Sequence, residues 1–275
     1  MNQFSGHNIA ADRPGQERPG QERPGQERPG QEGPGTALVG CAGWAIARDA
    51  ASFFPGEGSH LERYAAIFGA VEINSSFYRS HQSKTYARWA SSVPPAFRFS
   101  VKLARTITHE QRLSGIDENL AQFAGEVGAL GDKLGCVLVQ LAPSHAFDPA
   151  VAGVFMARIR ATFACMIACE ARHPSWFADD ASTLLAHHAV TRVRADPPKG
   201  EPGPHLPTTA AMYLRLHGTP RVYYSSYADD YLAQLADDLA VHARAGRVAW
   251  LIFDNTAAGA ALPNAMAVRK KIMPA

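Results

Sequence analysis

Eight short apolar runs recur along residues 36–275, and most of them stop at a polar or charged side chain. The runs are Leu38–Cys41, Ala70–Ile73, Phe97–Val101, Cys136–Leu141, Met166–Cys169, Val190–Val193, Met212–Leu216 and Val248–Phe253. Apolar runs of four to six residues are typical of strands buried on both faces of a parallel sheet. Such strands constrain the fold strongly because helices must cover them.

Segments with helical periodicity separate most of these runs. Residues 61–68 place apolar side chains at i, i+3, i+4 and i+7, behind Ser59 and Glu62, which form a capping-box pair. Asp148 and Pro149 predict another helix start, before Val151. Further apolar stripes occur at Ile116, Leu120, Phe123, Val127 and Leu130, at Leu232, Leu235, Ala236 and Leu239, and at Ala265, Val268 and Ile272.

The alternation of eight strands with helices predicts an α/β fold of the (β/α)8 TIM-barrel type, forming a single domain at residues 36–275. A doubly wound open sheet is the alternative, but it requires a glycine-rich phosphate turn after its first strand. Gly40 and Gly43 do not supply that turn. Five prolines between Val193 and Met212 predict a loop there instead of a helix.

The first 35 residues have a different composition. Residues 13–32 are four tandem copies of RPGQE. Proline and glycine without apolar side chains cannot build a core, so residues 1–35 are predicted to be a disordered tail.

Composition narrows the class of protein further. The chain has 27 Lys and Arg against 25 Asp and Glu, without a basic block, which argues against a nucleic-acid partner. Its four cysteines form no Cys-x-x-Cys pair, so neither a zinc site nor a disulfide framework is expected. The absence of a signal peptide or long apolar stretch predicts a cytoplasmic protein with no membrane partner, and leaves its oligomeric state open.

Polar side chains cluster where the predicted strands end, which is where barrels of this class build their active sites. They are Trp44, Glu72, Asn74, Lys102, Gln140, Glu170, Arg172, His173, Asp196, Arg215, His217, Asp254 and Asn255. Any one of them has a structural explanation, such as an ion pair that closes the barrel. A structural role alone does not require polar residues from so many strands.

Two carboxylates are the candidate catalytic acid and base. Glu72 and Glu170 come from strands three positions apart, so a substrate would fit between them. His173 and His217 are candidate proton carriers.

Three cations form a candidate substrate clamp. Lys102, Arg172 and Arg215 would bind a carboxylate or phosphate, the arginines in bidentate fashion. No cofactor is predicted. A divalent metal held by Glu72, Glu170, His217 and Asp254 remains an alternative, although no His-Glu-x-x-His motif supports it and the nearby cations oppose it.

Several motifs occur together in one order: GCAGW at 40–44, VEINSSFYR at 71–79, FRFSVKLARTITH at 97–109, CEARHPSW at 169–176, YLRLHG at 213–218 and FDN at 253–255. In these motifs the chain resembles the YecE-like family, domain of unknown function 72. The resemblance implies a TIM-type barrel but no established reaction. The motif positions implied by it are Glu72, Asn74, Tyr78, Lys102, His109, Gln140, Glu170, Arg172, His173, Trp176, Arg215, His217 and Asn255.

Together these features predict an enzyme that uses acid/base chemistry on a small polar or anionic metabolite, phosphorylated ones included. A hydrolase or an isomerase/lyase is favoured over an oxidoreductase. The residues expected to bind substrate are Asn74, Tyr78, Lys102, His109, Gln140, Arg172, Trp176, Arg215 and Asn255. The alternatives are a non-catalytic anion-binding barrel and a divalent-metal-dependent hydrolase.

Overall fold

The computed structural model describes residues 35–272, and parallel strands form its centre. The predicted tail at residues 1–35 lies outside the described residues, except for Gly35. The strands are β1 (Ala37–Cys41), β2 (Ala70–Ile73), β3 (Arg98–Lys102), β4 (Leu134–Gln140), β5 (Met166–Glu170), β6 (Val190–Arg192), β7 (Arg194–Asp196), β8 (Met212–Leu216) and β9 (Ala249–Phe253).

These strands form two parallel sheets. One has the order β1-β9-β8-β7 and the other has the order β2-β3-β4-β5-β6. The sheets approach each other at two places: Ala42 forms a single parallel bridge with Glu72, and only Val193 separates β6 from β7. The predicted α/β class with parallel strands is confirmed. Within residues 35–272 the ladders form two sheets, whereas one closed eight-stranded ring was predicted.

Helices follow most of the strands along the chain. They are α1 (His60–Ala65), α2 (Ser83–Ser91), α3 (Asp117–Val127), α4 (Pro149–Thr162), α5 (Asp179–His187), α6 (Asp229–Arg244) and α7 (Ala261–Ile272). Short helical turns at Ser75–Phe77, Thr106–Glu110 and Pro174–Phe177 lie just after β2, β3 and β5. No described helix is long and apolar enough to cross a membrane.

The predicted helix starts are confirmed by their hydrogen bonds. The Ser59 hydroxyl accepts from the Glu62 amide at 3.3 Å, while the Glu62 carboxylate accepts from the Ser59 amide at 2.7 Å. One carboxylate oxygen of Asp148 accepts from the amides of Ala150 and Val151. Each cap satisfies donors that the first helical turn leaves unpaired.

Helices α2 and α5 were not assigned from the sequence. Among its residues α2 buries only Tyr86, and α5 buries only Ala181 and Leu185. So few buried positions do not make an apolar stripe that sequence periodicity can detect.

The core has an outer and an inner part. Leu232, Leu235 and Leu239 of α6 belong to the large cluster between the helices and the sheets. A smaller cluster draws side chains from both sheets: Leu38, Ala70, Cys136, Leu138, Ala168, Val193, Ala195, Tyr213, Trp250 and Ile252.

Gly40 brings the first strands of the two sheets close together. A Cβ atom at this position would lie 2.1 Å from the carbonyl oxygen of Ala70, so only glycine permits this approach. The edge strands β1 and β2 of the two sheets therefore lie next to each other.

Candidate functional site

The polar residues predicted from the strand ends come together in one buried cluster. Parallel strands share their carboxyl-terminal edge, so residues at these positions meet even when they are far apart in sequence. The cluster contains Glu72 of β2, Lys102 of β3, Gln140 of β4, Glu170 of β5, Arg215 of β8, and His217 and Asp254, which directly follow β8 and β9. Each of these residues is at most 7% exposed.

Arg215 occupies the centre of the cluster. Its Nη2 lies 2.7 Å from Glu72 Oε1 and its Nε lies 3.0 Å from Glu72 Oε2, a bidentate arrangement. Its Nη1 donates to Glu170 Oε2 at 3.0 Å, and its Nη2 lies 2.9 Å from Asp254 Oδ2. Gln140 Oε1 accepts a weaker bond from Nη1 at 3.3 Å.

This position of Arg215 changes the predicted arrangement of the carboxylates. A substrate was expected between Glu72 and Glu170, but the guanidinium fills that space and bonds to both. It also lies among the donors proposed for a divalent metal. Within the described residues no group of three or more histidine, cysteine, aspartate or glutamate side chains is arranged to hold a metal ion. Since Glu72, Glu170 and Asp254 are all bound to Arg215, this donor set does not fit a divalent cation.

Glu170 is held in its ionised form. Arg172 donates to Oε1 from Nε at 2.9 Å and from Nη2 at 2.7 Å, and His217 Nε2 lies 3.2 Å from the same oxygen. Burial alone would raise the pKa of Glu170, but His217, Arg215 and Arg172 hold it well below its usual value. These contacts favour the carboxylate form of Glu170, which stabilises the positive charge around it.

His217 lies between two carboxylates. Its Nδ1 is 3.0 Å from Asp254 Oδ2, on the side opposite its contact with Glu170. Both partners are carboxylates, so this arrangement favours the protonated ring, which can donate from both nitrogens. Burial lowers the pKa of His217, but the pull of Glu170 and the hydrogen bonds to Asp254 and Glu170 raise it overall.

Two cluster residues were missed in the sequence. The Tyr213 hydroxyl donates to Glu72 Oε2 at 2.9 Å and contacts the Ser100 hydroxyl at 2.8 Å. Tyr213 lies two residues before Arg215, and Ser100 lies two residues before Lys102. Side chains two apart on a strand share a face, so this alternation was the signal that pointed to them.

Lys102 differs from the other cations of the cluster. Its Nζ lies 4.2 Å from the centre of the Phe77 ring, and this nitrogen forms no hydrogen bond or ion pair with residues 35–272. Burial, followed by the nearby Arg215, lowers the pKa of Lys102 to about 8. The ring of His109 also packs against Phe77, with the ring centroids 5.0 Å apart.

Four predicted residues are held outside the cluster. Trp176 is fully buried, with its indole donating to the His145 carbonyl, so it packs in the core instead of stacking on a ligand. His173 caps its short turn through the Ser175 amide and hydroxyl. Asn255 donates to the Ser225 carbonyl and to Asn264, which connects it to a loop and to helix α7. Tyr78 is 72% exposed.

Asn74 borders a cavity next to the cluster. The cavity has a volume of about 370 Å3 and is lined by Trp44, His60, Glu72 and Asn74, among others. The side-chain amide oxygen Oδ1 of Asn74 is buried and has no hydrogen-bond partner among the described residues. Such an unpaired acceptor is uncommon in a folded protein.

One loop residue covers His217 from outside. The Tyr223 ring lies 5.9 Å from the His217 ring, edge to face, and its amide donates to the His217 carbonyl at 2.5 Å. Its φ of 70° is left-handed, which is rare for a residue other than glycine and is typical of functional loops. No local sequence pattern indicated this contact.

Comparison with known proteins identifies relatives of the whole described region. The sequence model of the family described as "Protein of unknown function DUF72" matches residues 38–274. The UPF0759 protein YecE of Escherichia coli K12 is 29% identical over 144 residues, which is 50% of this chain and 52% of that protein. The chain thus spans about half the length of the curated relative that it matches.

Two solved structures have the same fold. A DUF72 family protein from Enterococcus faecalis V583 has a TM-score of 0.72 at 20% identity, covering 86% of this chain and 95% of its own. A DUF72 family protein from Thermotoga maritima MSB8 has a TM-score of 0.71 at 24% identity, with coverages of 85% and 98%. At these identities the similarity establishes the fold and not a reaction.

Proposed function

The chain belongs to the DUF72 family of proteins of unknown function, and we propose that it is an enzyme that binds a small anionic metabolite at the strand ends and transfers protons through His217. The observation that carries this proposal is the position of the His217 ring, which is buried with one nitrogen 3.2 Å from Glu170 and the other 3.0 Å from Asp254. A buried histidine with a raised pKa is suited to general acid catalysis.

The charges of the cluster favour an anionic ligand. Three carboxylates, Glu72, Glu170 and Asp254, face the three cations Lys102, Arg172 and Arg215. With His217 protonated, the positive charges in this buried cluster exceed the negative charges by one. A carboxylate or phosphate group would neutralise it.

Arg172 is the residue best placed to contact that anion. Its side chain is 17% exposed, more than the other partners of Glu170. Its Nε and Nη2 point at Glu170, while its Nη1 makes no hydrogen bond within the described range. Glu170 thus holds the guanidinium in place while one edge remains available.

Proton transfer therefore centres on His217 instead of on the predicted pair Glu72 and Glu170. Both carboxylates are bound to Arg215, so their role in the proposal is to position cations and stabilise positive charge. Release of a proton from His217 to a bound anion would restore neutrality in the cluster. Hydrolysis, isomerisation and lyase chemistry all use such a step, whereas a redox reaction would need a separate electron carrier.

The first experiment measures the affinity of the protein for anions. Titration calorimetry with inorganic phosphate and pyruvate compares the wild type with Arg172→Ala, and with Arg158→Ala, which removes an exposed guanidinium on α4. A hydrogen bond to a charged group contributes about 1.5–3 kcal/mol, so Arg172→Ala is expected to weaken binding by roughly 10-fold or more. Equal affinities in all three proteins would refute the anion site.

The alternative is a binding protein without catalysis, which the same cationic residues would also support. Nuclear magnetic resonance in heavy water distinguishes the two by following deuterium incorporation into pyruvate. An enzyme of the proposed kind exchanges the methyl protons faster than buffer does, and His217→Gln abolishes the effect. A pure binder retains its ligand unchanged.

We also propose that the two sheets are the two arcs of one eight-stranded barrel. The inner cluster containing Leu38, Leu138 and Trp250 draws on both sheets, as the packed interior of a barrel does. The Gly43 amide donates to the Glu72 carbonyl at 2.9 Å, which joins the edges formed by β1 and β2. At the other junction β6 pairs with β5 and β7 pairs with β8, with only Val193 between β6 and β7, so one continuous segment of chain belongs to both sheets. Hydrogen exchange tests this: slow exchange at Gly43 is expected, and rapid exchange there would indicate an open edge.

A further inference from the structure

Lys102 lies among the charges of the cluster, but its ammonium forms no hydrogen bond or ion pair with any described residue. It ends β3, is 4% exposed, and points its ammonium at the face of the Phe77 ring, a cation–π contact that is much weaker than an ion pair with a carboxylate. Three carboxylates are nearby, yet Arg215 and its neighbours satisfy them. A buried amine without a hydrogen-bonded counter-ion loses its proton more easily than one in an ion pair.

We propose that Lys102 is a nucleophile that forms an imine with the carbonyl carbon of a small anionic aldehyde, ketone or 2-oxo acid. This inference rests on the proposed function, since it uses the same site for the anionic group of the ligand. Lysine amines form such imines once they are neutral and close to a bound carbonyl.

His109, on the turn Thr106–Glu110, shares a neighbour with Lys102: its ring packs against Phe77, the ring that the Lys102 ammonium faces. Burial lowers the pKa of His109 most, and Lys102 and Arg172 are among the cations that lower it further. In the proposed complex the ligand lies beside His109, with its carboxylate paired with Arg172 and its carbonyl carbon facing Lys102.

The charged groups around Lys102 determine how easily it becomes neutral. Burial and Arg215 on β8 favour the neutral amine, while Glu72 on β2, Glu170 on β5 and Asp254 after β9 favour the ammonium. The first two effects are larger, and the pKa of Lys102 falls to about 8. At neutral pH roughly a tenth of the lysine is then uncharged, far more than for a free lysine with a pKa of about 10.4.

The reaction balances without an oxidant or a metal. The lone pair of Nζ attacks the carbonyl carbon, the C–N bond forms, and the carbonyl electron pair moves to oxygen, which takes up a proton. The resulting carbinolamine loses its hydroxyl as water after a second protonation, and one N–H proton of the original amine is lost. The net change is one amine, one carbonyl compound and one proton giving an iminium ion and one water. The iminium withdraws electrons from the neighbouring carbon, which is the basis of lyase and isomerase chemistry.

Reductive trapping tests the inference directly in the full-length protein. The probes are pyruvate, which carries a carboxylate, and acetaldehyde, which is similar in size and uncharged. Borohydride reduces the iminium to a stable secondary amine, and peptide mass spectrometry locates it. Lys84, an exposed lysine on α2, serves as the internal control.

Pyruvate is expected to label Lys102 at least 10-fold faster than Lys84, with a rate that rises about tenfold per pH unit and levels off above about pH 8. Lys102→Arg keeps a cation but cannot form an imine, so it should reduce labelling to background. Because the labelled residue is identified in the wild type, the test stands even where that variant folds poorly. Equal labelling of Lys102 and Lys84 would overturn the inference.

The two probes separate this inference from the proposed function. Pyruvate that stabilises the protein through Arg172 but leaves Lys102 unlabelled would refute the nucleophile and keep the anion site. Labelling of Lys102 by acetaldehyde but not by pyruvate would show a reactive amine and refute the anionic substrate class. Both the nucleophile and the anion site are supported if pyruvate labels Lys102 faster than acetaldehyde does and if labelling by pyruvate is slower in Arg172→Ala.

Discussion

Replacing Arg215 with methionine is expected to be among the most destabilising single changes at the strand ends. The side chain is 1% exposed and pairs with Glu72, Glu170 and Asp254 at 2.7–3.0 Å. Removing one partner of a buried ion pair costs about 3–5 kcal/mol because the remaining charge is left without a counter-ion. Because three carboxylates are affected, Arg215→Met should lower the free energy of unfolding by an amount near the upper end of this range, about 5 kcal/mol.

Urea unfolding followed by circular dichroism measures this loss, and thermal unfolding gives a second readout. For a domain of this size 1 kcal/mol corresponds to roughly 2–4 °C, so a decrease of about 10–20 °C in Tm is expected. The control is Arg158→Ala, which breaks the exposed pair with Asp117 at 3.5 Å and should cost less than about 1 kcal/mol.

The pH dependence sharpens the Arg215 prediction. In the wild type Glu170 and Asp254 have lowered pKa values, so their contribution to stability is present at neutral pH and is lost as the pH falls through those values. In Arg215→Met the carboxylates take up protons more easily. The difference in free energy of unfolding between the two proteins should therefore shrink from pH 7 toward about pH 4. A loss as small as that of Arg158→Ala, or a difference independent of pH, would refute the central role of Arg215.

Three further changes test other contacts. The pKa of His217 is raised, so its contribution to stability is fully present below the unfolded pKa of about 6.5 and is lost as the pH rises through the folded pKa. The free energy of unfolding in urea, measured between about pH 5.5 and 8.5, should therefore decline more steeply for the wild type than for His217→Gln. Parallel curves would contradict this. Tyr213→Phe removes a hydrogen bond to the buried Glu72 carboxylate and should lower the free energy of unfolding by about 1.5–3 kcal/mol, while a loss below about 0.5 kcal/mol would mean that the bond contributes little. Ser59→Ala removes the cap of α1 and should cost about 1 kcal/mol in the same measurement, with an unchanged stability arguing against the cap.

Local patterns predicted most elements because their causes act over a few residues. The runs Ala70–Ile73 and Met212–Leu216 coincide with β2 and β8. The sixth run differs: its apolar residues end at Val193, but the chain continues as a second short strand, Arg194–Asp196, which pairs with β8 in the other sheet. The break between β6 and β7 reflects which neighbours each segment finds, and this information is not contained in hydropathy.

The site shows the same division. Strand ends predicted which polar residues would meet, and Glu72, Lys102, Glu170, Arg215 and His217 do lie in one cluster. Their roles within it were not predictable. Arg215 was expected to clamp a ligand, but it pairs with three carboxylates of the chain itself.

The amino-acid sequence by itself determined the α/β class, the helix starts at Ser59 and Asp148, and the edge at which polar side chains gather. These features depend on spacing of two to four residues, on side-chain caps and on the common direction of parallel strands. Only the tertiary structure decided that Arg215 lies between Glu72 and Glu170, and that Lys102 faces Phe77 without a counter-ion. Glu72 and Arg215 are 143 residues apart, so their contact depends on strand order and on the packing of the two sheets rather than on any local pattern.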